Sequence, residues 1–241
     1  MVSVQWANNE MGTVQDVAAI GARCREVGAV FHCDGTQWVG KMPTDVSKAT
    51  FDVLTFSAHK WHGPKGVGVM WARPGLGLVP RIVGTQEKGR RGGTENAEGI
   101  VGAGVAARLA MEWVADPALR TRQGELRDVF ERAVLRDLPW AMVNGAIGTG
   151  RLWNTTNLAF PQLEAEALLM AFSERGLCAS AGAACSSGSL DPSPVLLAMG
   201  VPAEQAHGSV RFSLSRETTV EEVEEAARVV VEGVKRVGGV G

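Results

Sequence analysis

A chain of 241 residues, with 24 Lys and Arg against 26 Asp and Glu, is long enough for two modest domains or one large one. Its charge comes in no block of one sign, which argues against a nucleic-acid groove or an anionic membrane surface, so neither nucleic acid nor membrane is expected as a partner. No apolar stretch is long enough to span a bilayer, and the start lacks the basic region and long apolar core of a signal peptide. Cys24, Cys33, Cys178 and Cys185 show neither Cys-x-x-Cys spacing nor a disulfide framework, so a reduced, cytoplasmic setting is the expectation.

Met1 to Trp6 alternates like a strand. Asn8-Asn9-Glu10-Met11-Gly12 reads as a turn, because Asn tolerates positive φ. From Gln15 to Val27 the spacing predicts a helix with Val17, Ile20, Ala22 and Cys24 inward, ended by Gly28. The next strand is predicted over Ala29 to Asp34. Strand, helix, strand is the parallel crossover unit, and in open α/β sheets ligands sit beyond the carboxyl ends of the strands. Asp34 lies at such an end. Phe51 to Phe56 has the length and branching of a buried strand, and it delivers Ser57, His59 and Lys60 to its own end before Gly63-Pro64 turns the chain. Taken singly, Asp34 is as good a helix cap as a ligand, and Lys60 reads as a surface lysine. As a pair they are the carboxylate that keeps a pyridine nitrogen protonated and the amine that holds an aldehyde, the two handles pyridoxal phosphate needs. Desolvation at a strand end would make that lysine nucleophilic.

The segments Asn8-Asn9-Glu10-Met11-Gly12, His32-Cys33-Asp34-Gly35-Thr36-Gln37 and Ser57-Ala58-His59-Lys60 resemble those of the cysteine desulfurases. These are class V pyridoxal-phosphate enzymes of fold type I. They take sulfur from L-cysteine, release L-alanine and hold the sulfur as a persulfide. The resemblance implies an α/β fold, with residues 1–115 the C-terminal portion of a large cofactor-binding domain and 116–241 a small α+β domain. It implies Lys60 as the cofactor lysine and Asp34 as the pyridinium partner. Gln37 and Asn9 would lie near the ring hydroxyl and the substrate, and Ser57 and His59 in the phosphate cup.

After a strand around Gly66 to Trp71 comes the loop Val83 to Asn96, rich in glycine and cations. Composition alone makes it a solvated loop. The resemblance implies instead that Thr94 touches phosphate across a homodimer interface, although Val83 and Thr85 interrupt the family's glycine run. Glu98 to Trp113 is predicted as a helix with Val101, Val105, Leu109 and Trp113 inward. Asp116-Pro117 breaks it, and a second helix, Ala118 to Leu135, carries Leu119, Leu126, Phe130 and Val134 at helical spacing. A strand is expected at Leu158-Ala159-Phe160 and a helix from Glu164.

Cys178 to Leu190 is nearly free of bulk and charge. Its small residues predict a mobile loop able to carry one thiol between substrate and acceptor. Cys178, next to Leu177, reads as a small buried hydrophobe on a strand. The run Ala184-Cys185-Ser186-Ser187-Gly188-Ser189 resembles the sulfur-accepting loop of the group I desulfurases, which makes Cys185 the nucleophile. Arg211 stands in an apolar strand, where a charge needs a partner. It reads either as a structural ion pair or as a fork on a substrate carboxylate, and the resemblance implies the second. A closing helix is expected from Thr218 to Val237.

The function implied is sulfur transfer from L-cysteine, through Cys185, to an acceptor protein such as an iron–sulfur scaffold. The family's segment before the Asn-Asn-Glu turn, with a ring-stacking histidine and a Thr loop for the phosphate, has no counterpart in this sequence. The alternatives are therefore a silent or split piece that serves in binding or dimerisation, and another class V lyase or aminotransferase.

Overall fold

The computed structural model describes residues 1–182 and 191–239. They form two compact units, one of Met1–Ala7 and Gln15–Asp116, the other of Asn8–Val14 and Pro117–Gly241. The Asn-Asn-Glu turn thus belongs to the second unit, although its neighbours on both sides in the chain belong to the first.

The first unit is built on a four-stranded sheet of order β1-β2-β3-β4. Its strands are β1 (Val2–Gln5), β2 (Phe31–Asp34), β3 (Val53–Ser57) and β4 (Gly68–Ala72), the last antiparallel to β3 and the others parallel. Helix α1 (Val17–Glu26) makes the crossover from β1 to β2. It starts on Asp16, whose carboxylate accepts from the Ala19 amide, and ends before Gly28, whose φ of 66° is the left-handed conformation a side chain resists. Its inward stripe is Val17, Gly21 and Cys24, while Ala22 faces solvent, contrary to expectation. Gly21 takes that place because Thr50 packs against it so closely that an added Cβ would clash at 2.5 Å. Cys24 is buried with Phe31, Cys33, Phe51 and Leu54, as a core position should be.

After β4 the chain makes the single turn α2 (Gln86–Gly89), with Glu87 and Lys88 at left-handed φ, and then α3 (Ala97–Ala115). The face of α3 that goes inward is not the expected one. Gly99, Ala103, Ala106 and Ala110 are buried, with the last three packed on Ala58, Trp61 and Val67. Val101, Val105 and Leu109 are exposed and Trp113 is half-buried. Both faces are apolar, so periodicity could not choose between them; the small face admits a closer approach and better packing density.

The second unit has an antiparallel sheet of order β5-β6-β8-β7, made of β5 (Met142–Val143), β6 (Thr155–Ala159), β7 (Ser180–Ala181) and β8 (Ser209–Ser213). Helices α4 (Pro117–Asp137), α5 (Ala165–Ser173) and α8 (Val220–Val237) pack on it. Phe130, Val134, Leu158, Leu168, Phe172, Val210 and Val230 form the centre of this core. The short helices α6 (Pro194–Ala198) and α7 (Ala203–His207) lie between β7 and β8 in sequence. Thr219 and Glu222 form a reciprocal capping box at the start of α8, and Lys235 and Arg236 close its last turn, as the helix dipole favours. Cys178 is exposed and precedes β7, which corrects the expectation of a buried hydrophobe on a strand. Only two residues of β7 pair with β8, too few to cover it.

Candidate functional site

In the first unit the sheet register decides where the chemistry goes. Phe31 and Cys33 point into the core, so His32 and Asp34 project from the other face of β2. Asp34 pairs with Thr55 on β3 and with Gln5 on β1. Thr55 and Ser57 therefore share its face. Hydrogen bonds tie that face together: His32 Nδ1 meets Ser3 Oγ at 2.7 Å, and His32 Nε2 meets Thr55 Oγ1 at 2.8 Å. Asp34 is half-buried, and its Oδ1 accepts from the Thr36 amide at 2.9 Å, which fixes the carboxyl group at the strand end.

Directly after β3, residues Ala58–Trp61 form one 3₁₀ turn, closed by His62 in the left-handed conformation at φ 69°. Ala58 and Trp61 are buried and anchor the turn; His59 and Lys60 are exposed. The carboxylate and the amine thus stand at the carboxyl edge of adjacent parallel strands. The burial expected to desolvate Lys60 is not supplied by the described residues. Gln37 follows β2, but its side-chain oxygen accepts from Lys41 Nζ at 2.9 Å, and its carbonyl accepts from the same ammonium at 3.0 Å. Thr94 is exposed on the loop before α3, apart from this edge in sequence. In the same loop Asn96 serves as the cap of α3, accepting from the Gly99 amide.

Burial pushes the Cys33 thiol up to about 12, with the neighbouring Asp34 carboxylate adding to the effect. Cys33 is fully buried beside Phe31 and Leu54, so it is core, whatever its place in the motif. Among the described residues, no group of three or more His, Cys, Asp or Glu could hold a metal ion, and no helix is long and apolar enough to cross a membrane.

The second unit brings Asn9 and Arg211 together. Arg211, on β8 opposite Asn157 and Ser180, donates from Nη1 to the Asn9 carbonyl at 3.0 Å. Asn9 lies in a turn held by Asn8, whose Oδ1 accepts from the amides of Glu10 and Met11 at 2.8 and 3.1 Å. Glu10 and Met11 are buried. Around this turn runs a polar network that the sequence reading missed. Asn157 Nδ2 donates to the Glu10 carbonyl at 3.4 Å, Asn144 Nδ2 donates to Asn157 Oδ1 and Ser209 Oγ, and Gln205 Nε2 donates to Asn144 Oδ1. The signal was present in Thr155-Thr156-Asn157, polar residues in a strand that is buried throughout. Cys185, the expected nucleophile, lies outside the described residues.

The sequence pattern of the aminotransferase class-V family matches residues 1–226. A cysteine desulfurase of Nostoc sp. is 47% identical over 237 residues, which cover 98% of this chain and 58% of the relative. A solved structure described as a NifS-like protein superposes with a TM-score of 0.86 at 33% identity, over 96% of this chain and 60% of that one. Another, described as SspA in complex with cysteine, gives a TM-score of 0.69 at 33% identity, over 90% of this chain and 59% of that one. The chain therefore spans a little under two thirds of the length of the proteins it resembles.

Proposed function

The chain belongs to the class-V aminotransferase family, and we propose that it acts as a cysteine desulfurase, moving sulfur from L-cysteine to an enzyme cysteine with release of L-alanine. The observation that carries this reading is the placement of Asp34 and Lys60 at one edge of adjacent parallel strands. A carboxylate and a primary amine on such an edge suit the two ends of pyridoxal phosphate, which when bound supplies an electron sink for bond breaking at an amino acid. Asp34 holds its carboxyl group at the strand end through the Thr36 amide, ready to keep a ring nitrogen protonated. Lys60 would hold the aldehyde, and its amine would carry the substrate's α-proton. Ser57, which precedes that 3₁₀ turn, and His59 within it would bind phosphate, and Gln37 and Asn9 would serve the ring hydroxyl and the substrate. Thr94 reaches the phosphate of a second copy in a homodimer.

In the second unit, Arg211, which donates to the Asn9 carbonyl, is the guanidinium that would grip the carboxylate of L-cysteine. The Cys185 thiol takes the substrate's sulfur, so that two thiols become one persulfide and one alanine: the substrate's C–S bond breaks, an S–S bond forms, and the carbon gains the hydrogen. The persulfide then passes to an acceptor protein, such as an iron–sulfur scaffold. The cytoplasm is the compartment where a free thiol suits this chemistry. The cysteine named with the structurally similar SspA fits the same substrate class.

Incubation with pyridoxal phosphate and L-cysteine is the test. Alanine is expected in step with persulfide on Cys185, and Cys185→Ser is expected to stop sulfur transfer. Full-rate sulfide release by that variant would remove Cys185 from the reaction. The exposure of His59 and Lys60 favours a second reading, in which this chain binds cofactor only with another polypeptide present. Protein that stays colourless with added pyridoxal phosphate, and turns yellow when a partner chain is supplied, would select it.

A further inference from the structure

Glu10 is 3% exposed, in a turn whose outer residues are bound by β8 and β6. A buried carboxyl group costs free energy that an apolar side chain of the same volume avoids, so its contacts are informative. Its Oε2 accepts from Ser193 Oγ at 2.6 Å, the short distance of a hydroxyl on a carboxylate. Ser193 in turn caps α6, accepting from the amides of Val195 and Leu196 at 3.2 and 3.3 Å. On the other side stands Gly182, which leaves β7 at a left-handed φ of 58°. A Cβ built there would lie 3.5 Å from Glu10 Oε2 and 3.6 Å from Ser193 Cβ. The entry to α6 is therefore bonded to that carboxylate, and the exit from β7 passes close beside it. The chain between them carries Cys185.

The same turn serves the candidate substrate group. The Asn9 carbonyl takes Arg211 Nη1, and the Glu10 carbonyl takes Asn157 Nδ2. One buried turn is thus bonded by its main chain to the guanidinium and by its side chain to the base of the Cys185 segment. We propose that Glu10 is a positioning residue, which pins the α6 end of that segment through Ser193 and sets it at a fixed place relative to Arg211. This rests on the reading of Arg211 and Cys185 given above. Glu10 does not touch the reacting atoms; it acts through where the thiol's segment is rooted, and small misplacements of a reacting group are costly.

Glu10→Ala, Glu10→Gln and Ser193→Ala in the cofactor-loaded enzyme test it. Hydrogen exchange resolved by peptide reports the anchor, and alanine release from L-cysteine reports its consequence. Glu10→Ala and Ser193→Ala are expected to raise exchange at 193–199 about tenfold, as the loss of a buried charge-assisted hydrogen bond allows, with α8 unchanged. Both are expected to lower kcat about tenfold with KM for L-cysteine moved less than twofold. Glu10→Gln, which keeps an acceptor oxygen for Ser193, should recover most of the lost rate. Exchange that stays at the wild-type level overturns the anchor, and raised exchange with unchanged kcat overturns the positioning role. Should Glu10→Ala unfold, with α8 exchanging as well, the milder Ser193→Ala decides. A wild-type enzyme that forms no alanine counts against the sulfur-transfer reading, while exchange alone still decides whether Glu10 is the anchor.

Discussion

Each residue singled out by chemistry owes its state to what packs on it. Cys33 and Cys178 show the contrast. Cys33 sits in a motif yet is wholly buried, and its thiol is pushed up to about 12 by burial and by Asp34. Cys178 stands in no motif and is exposed. Reactivity follows thiolate and access, so in native protein at pH 8 a maleimide is expected to label Cys178 within minutes and leave Cys24 and Cys33 unlabelled until denaturant is added. Peptide mass spectrometry reads this directly, and early labelling of Cys33 would contradict the packing of β2 on α1. The exposure of Cys178 was not legible from its neighbour Leu177, because burial depends on what crosses above a strand.

Among elements, the best-determined are those whose ends carry their own signals. Gly28 closes α1, Thr219 and Glu222 open α8, and Asp116-Pro117 separates α3 from α4. Strand pairing has another determinant, which the sequence does not advertise. Asp52, just before β3, accepts from the Phe31 amide of β2 and from Arg73 Nε beyond β4, at 2.9 and 2.7 Å. The backbone donor, and after it Arg73, hold its carboxyl group below the usual range. A carboxyl group with a lowered folded value stabilises the fold above its unfolded value, and the gain drains away as pH falls through the folded one. Asp52→Asn is therefore expected to lower the thermal midpoint at pH 7. The gap from wild type should narrow below about pH 4, near the unfolded carboxylate value. A gap that widens on acidification would contradict this role.

At the scale of the whole molecule, each unit has its own core and its own polar centre. In the second unit the buried Arg151 side chain meets Glu131 in two parallel bonds of 2.6 and 2.7 Å. Arg127 donates to the Leu152 carbonyl at 2.6 Å, so α4 is fastened to the chain entering β6. Removing one partner of a buried pair strands the other charge, at a cost of about 3–5 kcal/mol. Glu131→Ala leaves Arg151 with Asp128 at 3.3 Å, so it is expected to lower the stability of this unit by less than that, about 2–3 kcal/mol, seen as faster hydrogen exchange in α4 and β6. Exchange in β2 and β3 of the first unit should stay at the wild-type level. The apolar outer face of α3, with Val101, Val105 and Leu109 exposed, reversed the inward face that spacing suggested.

Legible from the residues alone were the parallel crossover from β1 to β2, the delivery of Asp34 and Lys60 to strand ends, and the family. Those follow from local periodicity, turn residues and ordered motifs, which neighbours in the chain suffice to set. It took the folded chain to show which face of α3 goes inward, that Gln37 is engaged by Lys41, and that Glu10 meets Ser193 just before α6. Apart from Gln37 and Lys41, only four residues apart, these are contacts between residues far apart in sequence, and their outcome depends on packing distance and hydrogen-bond geometry.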